Sequence, residues 1–164
     1  MLRIIIYKFY KFFLKKNYIL SLGILFLLMY LLPLIIVYPL NFYVLKGSDF
    51  VSVDTLDKYD LIRLCLISPI IETFVFQFLI FQFFNFVEFR NVFLKIIIAS
   101  VIFGMFHYYN WIYILYAFCL GIVLNFTYAY TIKKFRNLYI PFIVVASFHI
   151  IKNTIAFFSS KIFI

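Results

Sequence analysis

Five stretches of this chain, at about 18 to 39, 66 to 87, 92 to 109, 111 to 132 and 138 to 159, are almost unbroken apolar runs. Each comes close to the roughly 20 residues that carry an α-helix across a 30 Å hydrocarbon core. In lipid the backbone must satisfy its own polar groups, so runs of this length fold as spanning helices. The expectation is an all-α, polytopic membrane helix bundle of about five transmembrane helices, forming one integral-membrane domain over residues 1–164. Composition agrees: 67% of residues are hydrophobic and 13% charged, where soluble domains carry about 25% charged residues. Cys65 and Cys119 lie in apolar runs without CxxC spacing, which indicates neither a disulfide framework nor a zinc ribbon.

The formal net charge is +9, but the 15 Lys and Arg are scattered and form no continuous basic face, so nucleic acid is not an expected partner. The lipid bilayer explains them better. Arg3, Lys8, Lys11, Lys15 and Lys16 punctuate an aromatic start that reads as an amphipathic segment on an anionic cytoplasmic leaflet. A signal peptide is the competing reading, but the apolar run from Tyr18 to Tyr38 is too long and no small-residue cleavage site follows. Asn41 to Asp60 holds four of the six acidic residues and reads as a solvated loop. With the N-terminus inside, ten of the fifteen basic residues fall on inner segments and the C-terminus lies outside. Arg63 and Lys152 run against that count. The use of 11 Lys against 4 Arg, with abundant Phe, Tyr and Ile, points to an AT-rich genome and a bacterial cytoplasmic membrane. No internal repeat is present, which disfavours a transporter.

A charge at the bilayer centre costs from about 2.5 to more than 10 kcal/mol, so intramembrane ionisable groups need a reason. Glu72, His107 and His149 all fall inside expected spans, on three different helices. They are expected to converge on one polar site, although helix-bridging hydrogen bonds would also account for them. Ser68 and Pro69 read as an N-cap and first helical residue, placing Glu72 in the first turns of the second span. Phe103 and His107 are four residues apart, as are His149 and Asn153, so each pair shares one side of its helix. With the N-terminus inside, all lie at a common depth in the outer half.

These residues resemble a known family. Ser68-Pro69-Ile70-Ile71-Glu72-Thr73-Phe74-Val75-Phe76-Gln77 looks like the first motif, EExxxR, of the CPBP intramembrane proteases. That family includes CAAX prenyl endopeptidases and the bacteriocin-processing or immunity proteins called Abi. Phe103 to His107 is similar to its second motif, FxxxH, and His149 to Asn153 to its third, HxxxN. The motif-bearing core is about 66–159. Gly121 resembles the small-residue stretch between motifs two and three. Thr73 stands where the family has its second Glu, and Gln77 where it has Arg. The resemblance assigns water activation to the retained Glu72.

Among protease chemistries, HExxH, paired intramembrane Asp residues and GxSxG are missing, which leaves water as the nucleophile. Glu72 and His107 are expected to hold and deprotonate it. His149 and Asn153 are expected to donate to the oxyanion, with Thr73, Gln77 and Phe103 in support. A divalent metal, zinc for example, on Glu72, His107 and His149 stays open beside metal-free glutamate chemistry. The resulting expectation is an intramembrane endopeptidase acting on a peptide or lipidated protein. The alternative is a non-catalytic immunity or scaffold protein that retains the polar site. Trp111, Tyr108, Tyr109 and Tyr113 read as an interfacial aromatic belt.

Overall fold

The structure, a computed structural model, describes residues 11–44 and 58–162, and the described residues are helical throughout apart from short turns. Residues 11–15 form one helical turn in which Phe13 is buried against Phe126 and Tyr130 while Lys11, Lys15 and Lys16 are exposed. That is the amphipathic character expected of the N-terminal segment. Residues 1–10, with Arg3 and Lys8, and most of the acidic loop lie outside the described residues.

Five long helices follow: α1 (Tyr18–Val44), α2 (58–86), α3 (Val92–Met105), α4 (Trp111–Phe135) and α5 (Tyr139–Ile162). Asparagines start four of them, because a short carboxamide can accept from the free N–H groups of a first turn. Asn17 accepts from the Ile19 N–H at 2.9 Å, Asn91 from Leu94 at 3.2 Å, Asn110 from Tyr113 at 2.8 Å and Asn137 from Tyr139 at 2.7 Å. Arg136, in the left-handed region at φ 51°, closes α4.

Helix α4 is the central element, packed by α1, α2, α3 and α5. Along α1 the buried residues are Ser21, Leu25, Met29, Pro33 and Val37, one in four, although the helix is apolar all round. Its remaining faces suit lipid. Between α3 and α4 the backbones approach closely: a Cβ added at Gly104 would lie 3.0 Å from the Ile114 carbonyl oxygen. Gly121 plays the reciprocal part, facing Ser100 and Phe103. Small residues allow this approach where no hydrophobic effect drives helices together in lipid. Asn125 Nδ2 donates to Ser100 Oγ across the same interface at 3.1 Å.

The bundle of about five helices is as expected; helix α3, with 14 residues, about 21 Å at 1.5 Å per residue, is the shortest, and the other four have full spanning length. Expectations change at the helix ends. Helix α3 stops at Met105, and His107 lies in the turn beyond it rather than inside a span. Helix α1 runs through Pro33 and Pro39 to Val44. Helix α2 begins at Lys58 instead of Ser68, and Ser68 makes no side-chain cap. Residues 41–44 and 58–60 of the expected loop are therefore helical.

Candidate active site

Helix α2 alternates between α and π geometry, with wide turns at Arg63–Ile67 and Thr73–Leu79. The first has a local cause. Proline inside an α-helix clashes with the carbonyl four residues earlier and lacks an N–H. Here the turn before Pro69 widens, so the Ser68 N–H bonds to the Arg63 carbonyl, five residues back. The Leu64 carbonyl loses that donor, and the residue five ahead of it is Pro69, which has none. Asn153 on α5 fills the gap, Nδ2 donating to Leu64 O at 3.0 Å. A proline on one helix thus creates an acceptor that an asparagine on another recognises, and the contact sets how α5 lies along α2.

Four residues on from Asn153 towards the N-terminus of α5, His149 is 2% exposed and presents Nε2 to Glu72 Oε2 at 3.5 Å. His107 approaches the same oxygen, Nε2 to Oε2 being 3.7 Å. Just past the end of α3, His107 Nδ1 bonds the Phe103 carbonyl at 2.7 Å, satisfying one of the carbonyls that a helix end leaves without a partner. A carbonyl only accepts, so Nδ1 carries a proton and Nε2 is the nitrogen turned towards Glu72. Phe103 is fully buried against both imidazoles, with ring centroids 4.5 Å from His107 and 5.9 Å from His149.

The structure therefore brings Glu72, His107, His149 and Asn153 to one cavity of about 300 Å³, with Phe103 behind the imidazoles. Thr73 and Gln77 do not line it. Both are fully buried, and neither the Thr73 hydroxyl nor the Gln77 amide finds a hydrogen-bond partner among the described residues. Lys152, Tyr113, Tyr116, Tyr109 and Leu64 also line the cavity, and no motif marks them. Lys152 could have been found as the one charged residue of the apolar stretch 139–159, one turn on from His149. Tyr113 stacks on Tyr116 and lies 5.8 Å from the His107 ring, so it belongs to the cavity wall. Tyr108 and Trp111 are exposed, as expected of a belt.

Two imidazoles and a carboxylate are zinc-type donors, and the His107–Phe103 contact is of the kind that orients metal-bound histidines. His149 Nδ1 has no such partner. Among the described residues, no group of three or more His, Cys, Asp or Glu side chains is arranged to hold a metal ion. The residues do not fit a metal centre.

The Asn153 bridge makes a prediction. Asn153→Ala leaves the part-buried Leu64 carbonyl without this donor, which costs about 1 kcal/mol. Pro69→Ala restores an N–H five residues beyond Leu64, so the double variant is expected to recover part of that loss. Unfolding in detergent of the two single variants and the double measures the coupling; strictly additive effects would refute the bridge.

Helices of spanning length make this an integral membrane protein. No curated protein and no solved structure matches the chain. A family described as Type II CAAX prenyl endopeptidase Rce1-like matches residues 55–155, more than half of the sequence and inclusive of Glu72, His107, His149 and Asn153. On that match, the chain belongs to the type II CAAX prenyl endopeptidase Rce1-like family, a family of peptidases.

Proposed function

We propose that this protein is an intramembrane endopeptidase in which Glu72 and His107 activate a water molecule against a peptide bond. The observation that carries the reading is the single Glu72 oxygen placed 3.5 Å and 3.7 Å from two imidazole nitrogens inside a lined cavity. A proton passes from water to Glu72 as the oxygen attacks the peptide carbonyl, and then from Glu72 to the leaving amine. His149 and the second N–H of the Asn153 amide stabilise the oxyanion, the first N–H being held by Leu64. Phe103 fixes both rings. The mechanism needs no metal.

The whole chain forms one domain whose motif-bearing core is about 66–159. Its N-terminus lies on the cytoplasmic side of a bacterial membrane, because Lys11, Lys15, Lys16, Arg90, Lys133, Lys134 and Arg136 lie in helix ends and connections on one side of the bundle. The Tyr18–Phe135 ring contact at 4.7 Å ties the start of α1 to the end of α4 there. The cavity then belongs to the outer half, where a peptide or lipidated protein substrate enters.

Replacing either His107 or His149 by Ala is expected to abolish cleavage of a reporter peptide by the protein in vesicles, with folded protein retained. Metal content, and activity before and after chelation, form the second arm. Full activity in both alanine variants would overturn the reading, and loss of activity on chelation would replace its metal-free step. Thr73 and Gln77, buried without partners, favour one alternative: a non-catalytic immunity or scaffold protein, for which both alanine variants would keep biological function.

A further inference from the structure

Lys152 is 8% exposed, sits in a membrane-spanning helix and lines the cavity. Among the described residues no carboxylate comes within ion-pair reach of it. Its ammonium instead donates to Asn153 Oδ1 at 3.2 Å and lies over the Tyr116 ring at 5.0 Å from the centroid. A charge inside a membrane helix is costly and calls for a reason. Here the charge is applied to the same amide whose nitrogen donates to Leu64 O at 3.0 Å.

The Asn153 carboxamide is thus held at both ends. Its oxygen accepts from a cation on α5, and its nitrogen donates to a carbonyl on α2. Turned over, the amide would set its nitrogen against the ammonium, donor to donor, and its oxygen against the Leu64 carbonyl, acceptor to acceptor. Both contacts therefore select one orientation, which leaves the second N–H of this cavity-lining residue for a substrate. A charged donor also polarises the amide it binds, so that the N–H groups at the other end donate more strongly. Tyr116 on α4 keeps the ammonium beside that oxygen by a cation–π contact. Resting on the peptidase reading above, we propose that Lys152 is a positioning residue, which acts through Asn153 by orienting and polarising the amide that donates to the oxyanion. The lysine itself contacts neither the attacking water nor the bond that breaks.

The test uses the full chain in phosphatidylcholine vesicles and a reporter peptide with an amidated end and no acidic side chain, so that the substrate offers the lysine no charge. Removing an oxyanion donor outright lowers kcat by about 10²–10³-fold, and loosening one lowers it less. Lys152→Met, neutral and of similar length, is expected to lower kcat about tenfold with KM held within about threefold, and Lys152→Arg to keep both near the wild-type values. In an Asn153→Ala background, Lys152→Met is expected to change kcat by less than about twofold, because the amide it acts on is gone. The same tenfold loss in that background would overturn the proposal. So would a wild-type kcat in Lys152→Met, or a change confined to KM. A second readout needs no cleavage. In detergent, with isotope-labelled asparagine and the Asn153 amide identified by its absence from Asn153→Ala, the proton bonded to Leu64 is followed by nuclear magnetic resonance. It is expected to exchange with water about tenfold faster in Lys152→Met than in the wild type or Lys152→Arg, the effect of one charge-assisted hydrogen bond. Faster exchange upholds the hold of Lys152 on the amide even if no peptide is cleaved, a result that would sink the peptidase reading alone. Unchanged exchange sinks the lysine's role even if cleavage occurs.

Discussion

Glu72→Gln is expected to lower the rate of peptide cleavage by about 10²–10⁴-fold, the contribution of a positioned general base, while the protein stays folded. The glutamine keeps the shape and hydrogen-bonding length of the side chain but cannot take a proton from water. Its structural effect should be small, because Glu72 approaches its histidine neighbours at 3.5 Å and 3.7 Å, longer than the 2.7–2.9 Å of a strong charge-assisted hydrogen bond. Cleavage of a reporter peptide in vesicles, with thermal unfolding measured on the same preparations, provides the check. A variant that cleaves at the wild-type rate would eliminate Glu72 as the base.

Gly104→Val should act at the opposite level, on architecture first and chemistry second. A Cβ at this position meets the Ile114 carbonyl oxygen and Phe118 Cβ at 3.0 Å and Phe118 Cα at 3.2 Å. Two of those three atoms are backbone, and none is the free end of a flexible side chain. Helix α3 must therefore shift away from α4, at a cost of about 1–3 kcal/mol for overpacking. Phe103 is the next residue and His107 hangs from its carbonyl, so the displacement reaches the cavity directly. A shift of about 1 Å in a reacting group can cost on the order of 100-fold in rate. Gly23 is the matched control: it lies on an exposed face of α1 with nothing within 4 Å of an added Cβ. Gly23→Ala should leave activity unchanged and stabilise α1 by roughly 0.5–1 kcal/mol. Unfolding and cleavage measured on both variants test the pair, and a Gly104→Val protein of normal stability and rate would refute the close contact.

The sites of these changes differ in how far they could be read before the fold was seen. Glu72 stood out because a carboxylate within an apolar run has few explanations, and its spacing from Pro69 resembled a motif. Gly104 carried no such mark: a glycine in a membrane helix is common, and only the crossing of α3 and α4 shows that its missing Cβ is needed. His107 lines the cavity but from beyond the span expected to hold it, since hydropathy continues through Phe106 while the backbone leaves the helix at Met105. Ser68 and Pro69 were read as a helix start because proline favours first turns. The chain instead tolerates that proline in mid-helix by widening the turn and borrowing a donor from α5. By charge count Lys152 is only an exception to the topology, whereas in the fold it forms part of the cavity wall.

Sequence alone determined the solvent and the helical class. These follow from hydropathy and rise per residue, quantities that accumulate along the chain without reference to any neighbour. Only the tertiary structure decided which faces meet: that one carboxylate oxygen lies between two Nε2 atoms, that Asn153 bridges to Leu64, and that Thr73 and Gln77 stand apart from the cavity. The physical reason is that lipid is as apolar as the helices it surrounds. Helix rotation and approach are therefore set by a few small residues and polar contacts between distant segments rather than by the average character of any one of them.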